Sequence, residues 1–207
     1  MRRAAAAVRP GNAERSALVA DAEAYIRQLF AANAGGHDVQ HTLRVRRSAM
    51  RIASEEPGCD ALVVELAALL HDADDPKLFP SEGNENARAF LTHAGVDAET
   101  AERVCAAVNA VSFSKNKGRV PETIEGKIVQ DADRLDAIGA VGVARTFAYG
   151  GEHGRPMEES VQHFHDKLLR LYDLLNTESA RRLAAPRHAF LEAFLEQYYK
   201  ETGEEKP

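Results

Sequence analysis

Ten residues, Ala61 to Leu70, constrain this chain more than any others. Every one except Glu65 is apolar. A helix apolar on nearly all sides is a central helix, surrounded by other elements. It runs directly into His71 and Asp72, and Pro76 closes it. Asp60 is placed to cap its start. Two adjacent ionisable groups at the end of a buried helix cost several kcal/mol unless they are paired or bound to a cation. A divalent ion is the economical partner, with carboxylate supplying charge and imidazole a directional lone pair. A buried His–Asp hydrogen-bonded pair satisfies the same two residues.

The rest of the chain repeats the helical period. Ala13 to Phe30 reads as an amphipathic helix stopped by Gly35–Gly36. Asp38 to about Glu55 reads as a second, capped by Asp38 and broken by Pro57–Gly58. Asn84 to His93 and Asp97 to Val111 follow. Pro121 suits the first position of a helix carrying Ile124, Ile128 and Val129. Ala137 to Ala148 continues with Gly139 and Gly142, which suggest close packing. Gly150–Gly151 through Pro156 reads as a loop. Glu158 to Leu175 and Thr177 to Tyr199 close the chain. Few stretches alternate with period two, so the expected fold is all-α, a compact single-domain array of helices. The domain is expected over residues 13–200, between a flexible extension at 1–12 and a polar tail at 201–207.

Composition narrows the chemistry. The 207 residues hold 26 Lys and Arg against 32 Asp and Glu, a formal charge of −6. That balance argues against a nucleic-acid binder or a polybasic membrane module. Two cysteines without a CxxC pattern exclude thiolate zinc sites and read as thiols of a reducing cytoplasm. No run approaches the ~18 apolar residues of a membrane span. GxxxxGK[ST], GxSxG and HExxH are absent, against a P-loop, a serine-hydrolase elbow and a zincin. The eight histidines leave a site of imidazole and carboxylate in view.

Asp131 follows Ile128 and Val129 and opens the run Asp131-Ala132-Asp133-Arg134-Leu135-Asp136. Apolar neighbours make a fully solvated face a poor account of these aspartates. His41, the pair His71–Asp72 and Asp131 match the H…HD…D pattern, and the chain resembles the HD superfamily of metal-dependent phosphohydrolases. Residues 36–45, GHDVQHTLRV, and 130–140, QDADRLDAIGA, are similar to the first and last motifs of a bacterial branch that includes nucleotide pyrophosphohydrolases. The resemblance spans about Ala17 to Tyr199.

This resemblance implies His41, His71, Asp72 and Asp131 as ligands of one divalent metal. Mn²⁺ is favoured, with Fe²⁺, Co²⁺, Ni²⁺, Zn²⁺ or Mg²⁺ as alternatives. It implies Asp75 as the acid/base group beside a metal-activated water. Lys77 and Arg44 are candidates for substrate phosphate, Arg44 also for a ligand carboxylate. His37 is expected in a supporting role. Arg134 and Asp136 are expected to pair with each other or frame the pocket, and Lys167 is a weaker candidate for it. His163 and His165 diverge on a helix and make a poor chelate. The implied reaction is cleavage of nucleoside triphosphates to monophosphate and pyrophosphate. Monophosphatase or cyclic phosphodiesterase activity, and a non-catalytic metal- or nucleotide-binding module, remain open. The expected partner is a small phosphorylated molecule in the cytoplasm, with the last helices available for a homodimer.

Overall fold

A computed structural model describes residues 11–31, 39–76, 78–81, 83–111 and 119–205. Nine α-helices make up the described residues, with no strand among them. They are α1 (Asn12–Phe30), α2 (Val39–Ala53), α3 (Ala61–Leu70), α4 (Glu85–His93), α5 (Ala98–Val111), α6 (Ile124–Asp136), α7 (Gly139–Glu152), α8 (Met157–Asp166) and α9 (Glu178–Thr202). A 3₁₀ turn, Leu168–Leu171, separates α8 from α9. None of the described helices is long and apolar enough to cross a membrane.

The apolar helix α3 is central, as its composition demands. It packs against α1, α2, α5 and α6, and Val63, Val64, Leu66, Leu69 and Leu70 are completely buried. Side chains of that size each contribute about 1.5–3 kcal/mol when withdrawn from water. The Asp60 carboxylate accepts from the N–H groups of Leu62 and Val63 at 3.1 and 3.5 Å, so the expected cap is in place. Glu65, the one charged residue of α3, is buried but not alone. Arg46 donates to it through Nε and Nη2 at 3.0 and 2.8 Å, and Arg15 through Nη2 at 3.3 Å.

Some boundaries differ from the sequence reading. Helix α6 starts at Ile124, because the Thr123 hydroxyl accepts from the Gly126 N–H at 3.1 Å and takes the cap; Pro121 lies outside it. Gly150 and Gly151 continue α7 instead of opening a loop. The helix expected over 158–175 stops at Asp166 and tightens into the 3₁₀ turn. Cys105 is buried and Cys59 only half-buried; both are free thiols.

The turn between α6 and α7 places the last side chains of α6 beside those of α7. Gly139 there has φ +75°, a left-handed conformation that L side chains rarely adopt. Gly142 brings α7 against the backbone of Ala137, where an added Cβ would lie 2.2 Å from the carbonyl oxygen. Gly142→Ala is therefore expected to destabilise the protein by about 1–3 kcal/mol, read as a lower melting temperature. An unchanged melt would contradict this packing. Phe147 of α7, Phe164 of α8 and Phe194 of α9 form an aromatic cluster, with centroids 5.6–6.0 Å apart, that holds the C-terminal half together.

Candidate metal centre

Four side chains, one from α2, one from α6 and two from the turn that ends α3, converge at the C-terminal end of α3. His71 caps that helix, and its Nδ1 donates to the Ala68 carbonyl at 2.9 Å. His41 comes from the first turn of α2, and its Nδ1 lies 2.7 Å from Asp136 Oδ2. Donation through Nδ1 fixes each imidazole with its Nε2 lone pair facing the other. Those two Nε2 atoms are 3.2 Å apart. Asp72 Oδ2 lies 3.2 Å from His71 Nε2 and 3.5 Å from His41 Nε2. Asp133 Oδ1 lies 3.4 Å from His41 Nε2, and His41, His71 and Asp133 each offer an atom within 4.8 Å of the others.

Two facing lone pairs and two carboxylates repel each other unless a cation lies among them. The observed separations are also the right ones. Neighbouring ligand atoms at about 2.0–2.2 Å from one ion, held near a right angle, lie roughly 3 Å apart. His41 and His71 are buried while the Asp133 side chain is 32% exposed, so the group opens to solvent on the Asp133 side.

The same electrostatics shows in the protons. Burial opposes charging of the His41 imidazole. Hydrogen bonds to Asp133 and Asp136, and the charges of Asp133 and Asp72, outweigh it and raise its pKa from 6.5 to about 9. His71 is raised too: burial opposes, and Asp72 prevails. Protons thus stand in for the cation. A raised imidazole pKa gives stability that is complete below about pH 6.5 and is lost as pH climbs through about 9. The melting temperature of protein stripped of metal by a chelator is expected to fall across that window. Excess Mn²⁺ is expected to remove most of the fall, since the ion replaces the protons. Melts independent of both pH and Mn²⁺ would contradict this.

Asp136 is the main support of His41. Arg44 grips it with two bonds, Nε to Oδ1 at 2.7 Å and Nη2 to Oδ2 at 3.0 Å. Arg145 of α7 adds a bond to Oδ2. Burial pushes the Asp136 carboxyl up, but His41 and Arg44 hold it well below the usual carboxylate range. Arg44 thus serves a carboxylate that orients a histidine.

The structure does not bring Asp131 to the imidazoles. Its carboxylate is fully buried on another face of α6. It accepts from the N–H groups of Asn176 and Thr177, at 2.9 and 2.8 Å, and from the Asn176 amide and Thr177 hydroxyl, at 2.8 and 2.9 Å. Asp131 therefore ties the start of α9 to α6. Asp133 occupies the position that Asp131 was expected to fill. Asp136, expected to pair with Arg134, instead holds His41, and the Arg134 guanidinium donates to the Leu174 carbonyl. Helical spacing carried a signal: Asp133 and Asp136, three apart, share a face, whereas Asp131 is about 200° from Asp133. Arg145 carried no such signal.

Asp75 follows the cluster, half-buried, in the turn after α3, with its N–H bonded to the Asp72 carbonyl at 3.2 Å. His165 Nε2 bonds the Tyr199 hydroxyl at 2.9 Å, and burial lowers the His163 pKa, helped by the charges of Lys167 and Arg155. Lys77, His37, Asp38 and the stretch 112–118 lie outside the described residues. Depressions of about 260 and 230 Å³ sit elsewhere, against Pro121 and against Arg46, and neither includes the His–Asp group.

A buried imidazole pair, flanking carboxylates and an all-helical scaffold define a class. The chain belongs to the HD domain family, whose model matches residues 38–138. It is 40% identical over 186 residues to YpgQ of Bacillus subtilis (strain 168), covering 86% of this chain and 90% of YpgQ. The crystal structure of B. subtilis YpgQ in complex with ADP superposes with a TM-score of 0.79 at 36% identity, covering 91% of this chain and 96% of that one. An HD-superfamily hydrolase from Bacillus thuringiensis superposes with a TM-score of 0.77 at 36% identity, covering 92% and 100%.

Proposed function

We propose that this HD-superfamily protein is a metal-dependent phosphohydrolase that cleaves nucleoside triphosphates to monophosphate and pyrophosphate. The observation that carries the reading is the pair of Nε2 atoms, 3.2 Å apart, beside the carboxylates of Asp72 and Asp133. His41, His71, Asp72 and Asp133 would hold one divalent ion, with Mn²⁺ the working choice for a mixed nitrogen–oxygen donor set. Such an ion supplies Lewis acidity to a phosphoryl oxygen and lowers the pKa of water. The YpgQ complex with ADP supports a nucleotide as the ligand class.

The chain's own residues do the rest. Asp136 and the Ala68 carbonyl hold the two imidazoles in the tautomer that presents Nε2. Asp75 takes the proton of the attacking water, and Lys77 meets the substrate phosphate. The buried side of the group, walled by α3, keeps bulk water away from the histidines.

A nucleotide panel with several divalent metals, followed by separation of products, tests this. Pyrophosphate from triphosphates in a metal-dependent reaction is expected. Orthophosphate as the sole phosphorus product, or turnover that persists in a chelator, contradicts it.

A further inference from the structure

Three arginines surround one carboxylate at the edge of this site. Arg44 and Arg145 both bond Asp136. Arg187 is anchored on the Leu135 carbonyl at 2.6 Å, close enough for its charge to act on Asp136. With a divalent cation balancing Asp72 and Asp133, three positive charges against the single negative one of Asp136 leave two in excess, in a chain whose net charge is −6. The excess lies one imidazole width from the His41 Nε2, where an anionic substrate would need it.

The three are not equivalent. Arg44 holds Asp136 through a two-bond fork, the geometry that matches a guanidinium to a carboxylate. Arg187 is half-buried and its guanidinium is committed to a backbone carbonyl. Among the described residues Arg145 bonds through Nη1 alone. That nitrogen crowds His41 Nδ1 at 2.7 Å, because both address the same Asp136 oxygen. Two donors meeting on one acceptor repel each other, and Asp136 keeps His41 and the Arg44 fork without Arg145. The Arg145 side chain is 37% exposed, against 29% for Arg44. It is the arginine that can turn outward at least cost.

We propose that Arg145 is the phosphate clamp of this site, swinging its guanidinium from Asp136 to a substrate phosphate while Arg44 keeps Asp136, and through it His41, in place. The proposal rests on the phosphohydrolase reading and adds a selectivity: the clamp favours substrates with more than one phosphate, one at the metal centre and another at Arg145. A planar fork suits this task better than a lysine.

The test compares wild type, Arg145→Gln and Arg145→Lys, all full-length and with Mn²⁺. Calorimetry measures affinity for ADP, for AMP and, separately, for Mn²⁺, and steady-state assays separate KM from kcat. Arg145→Gln is expected to weaken ADP and raise KM by about tenfold to a hundredfold, the effect of a lost charge-assisted bond. AMP binding, kcat and Mn²⁺ affinity should each change by less than about threefold. Arg145→Lys should recover part of the loss and guards against a folding defect in the first variant. Unchanged ADP affinity in a wild type that does hydrolyse nucleotides would overturn the clamp and leave the hydrolase reading standing. A parallel fall in Mn²⁺ affinity would overturn it too, by making Arg145 a support of His41. A wild type that neither binds ADP nor hydrolyses a phosphoester overturns both.

Discussion

Asp133→Asn is expected to abolish metal-dependent turnover while leaving the helical fold intact. The Asp133 carboxylate stands 3.4 Å from His41 Nε2 on the open side of the group. It is the only one of the three α6 aspartates among the three side chains that place ligand atoms within 4.8 Å of one another. Amidation keeps the shape and removes the charge, so the donor set loses half of its negative charge. Loss of an outer-sphere partner costs about 10–100-fold in affinity or activity, and loss of a ligand should exceed that. Metal-free Asp133→Asn should stay folded but lose the part of the His41 stabilisation that Asp133 supplies, so its melt should fall modestly and by less than that of Asp131→Ala. Nucleotide turnover beside a circular-dichroism melt checks both halves. Full turnover in Asp133→Asn would contradict the assignment.

Asp131→Ala is expected to do the reverse and damage the fold first. Removing the carboxylate strands the N–H groups of Asn176 and Thr177, the Asn176 amide and the Thr177 hydroxyl. Unsatisfied buried donors cost about 1–3 kcal/mol each, and these share one acceptor, so a total of about 3–5 kcal/mol is reasonable. The loss falls on the start of α9, where Thr177 also caps the helix through its hydroxyl and the Ala180 N–H at 3.2 Å. Denaturant unfolding should show a midpoint shift of that size. Whatever fraction stays folded should still take up metal. A melt like wild type's would remove Asp131 from this structural role.

These two aspartates also show where reading the sequence succeeds and where it stops. Fold class followed from α3 alone, since a helix apolar all round requires helices around it, and the period of the other segments supplied them. His41, His71 and Asp72 were visible because two lie at the end of that buried helix and the third stands in a similar helical setting. Choosing among Asp131, Asp133 and Asp136 was a different problem. All three sit on one amphipathic segment, and the motif alone does not say which face of α6 meets α2 and α3. That face is set by tertiary packing, which turns Asp133 and Asp136 toward His41 and Asp131 toward the start of α9. Arg145 was harder still. It belongs to a helix redirected by the turn at Gly139, and nothing local in its sequence points toward Asp136. Pro121 misled for a related reason, because a tertiary-compatible cap at Thr123 overrode a local preference.

We propose that His41, His71, Asp72 and Asp133 form one cation site. Calorimetric titration of chelator-treated protein with Mn²⁺, run on wild type, Asp133→Asn and Asp131→Asn at a temperature where all three are folded, separates this ligand set from one that includes Asp131. One equivalent bound by wild type and by Asp131→Asn, with binding lost in Asp133→Asn, is the predicted result. Binding lost in Asp131→Asn but retained in Asp133→Asn would contradict it.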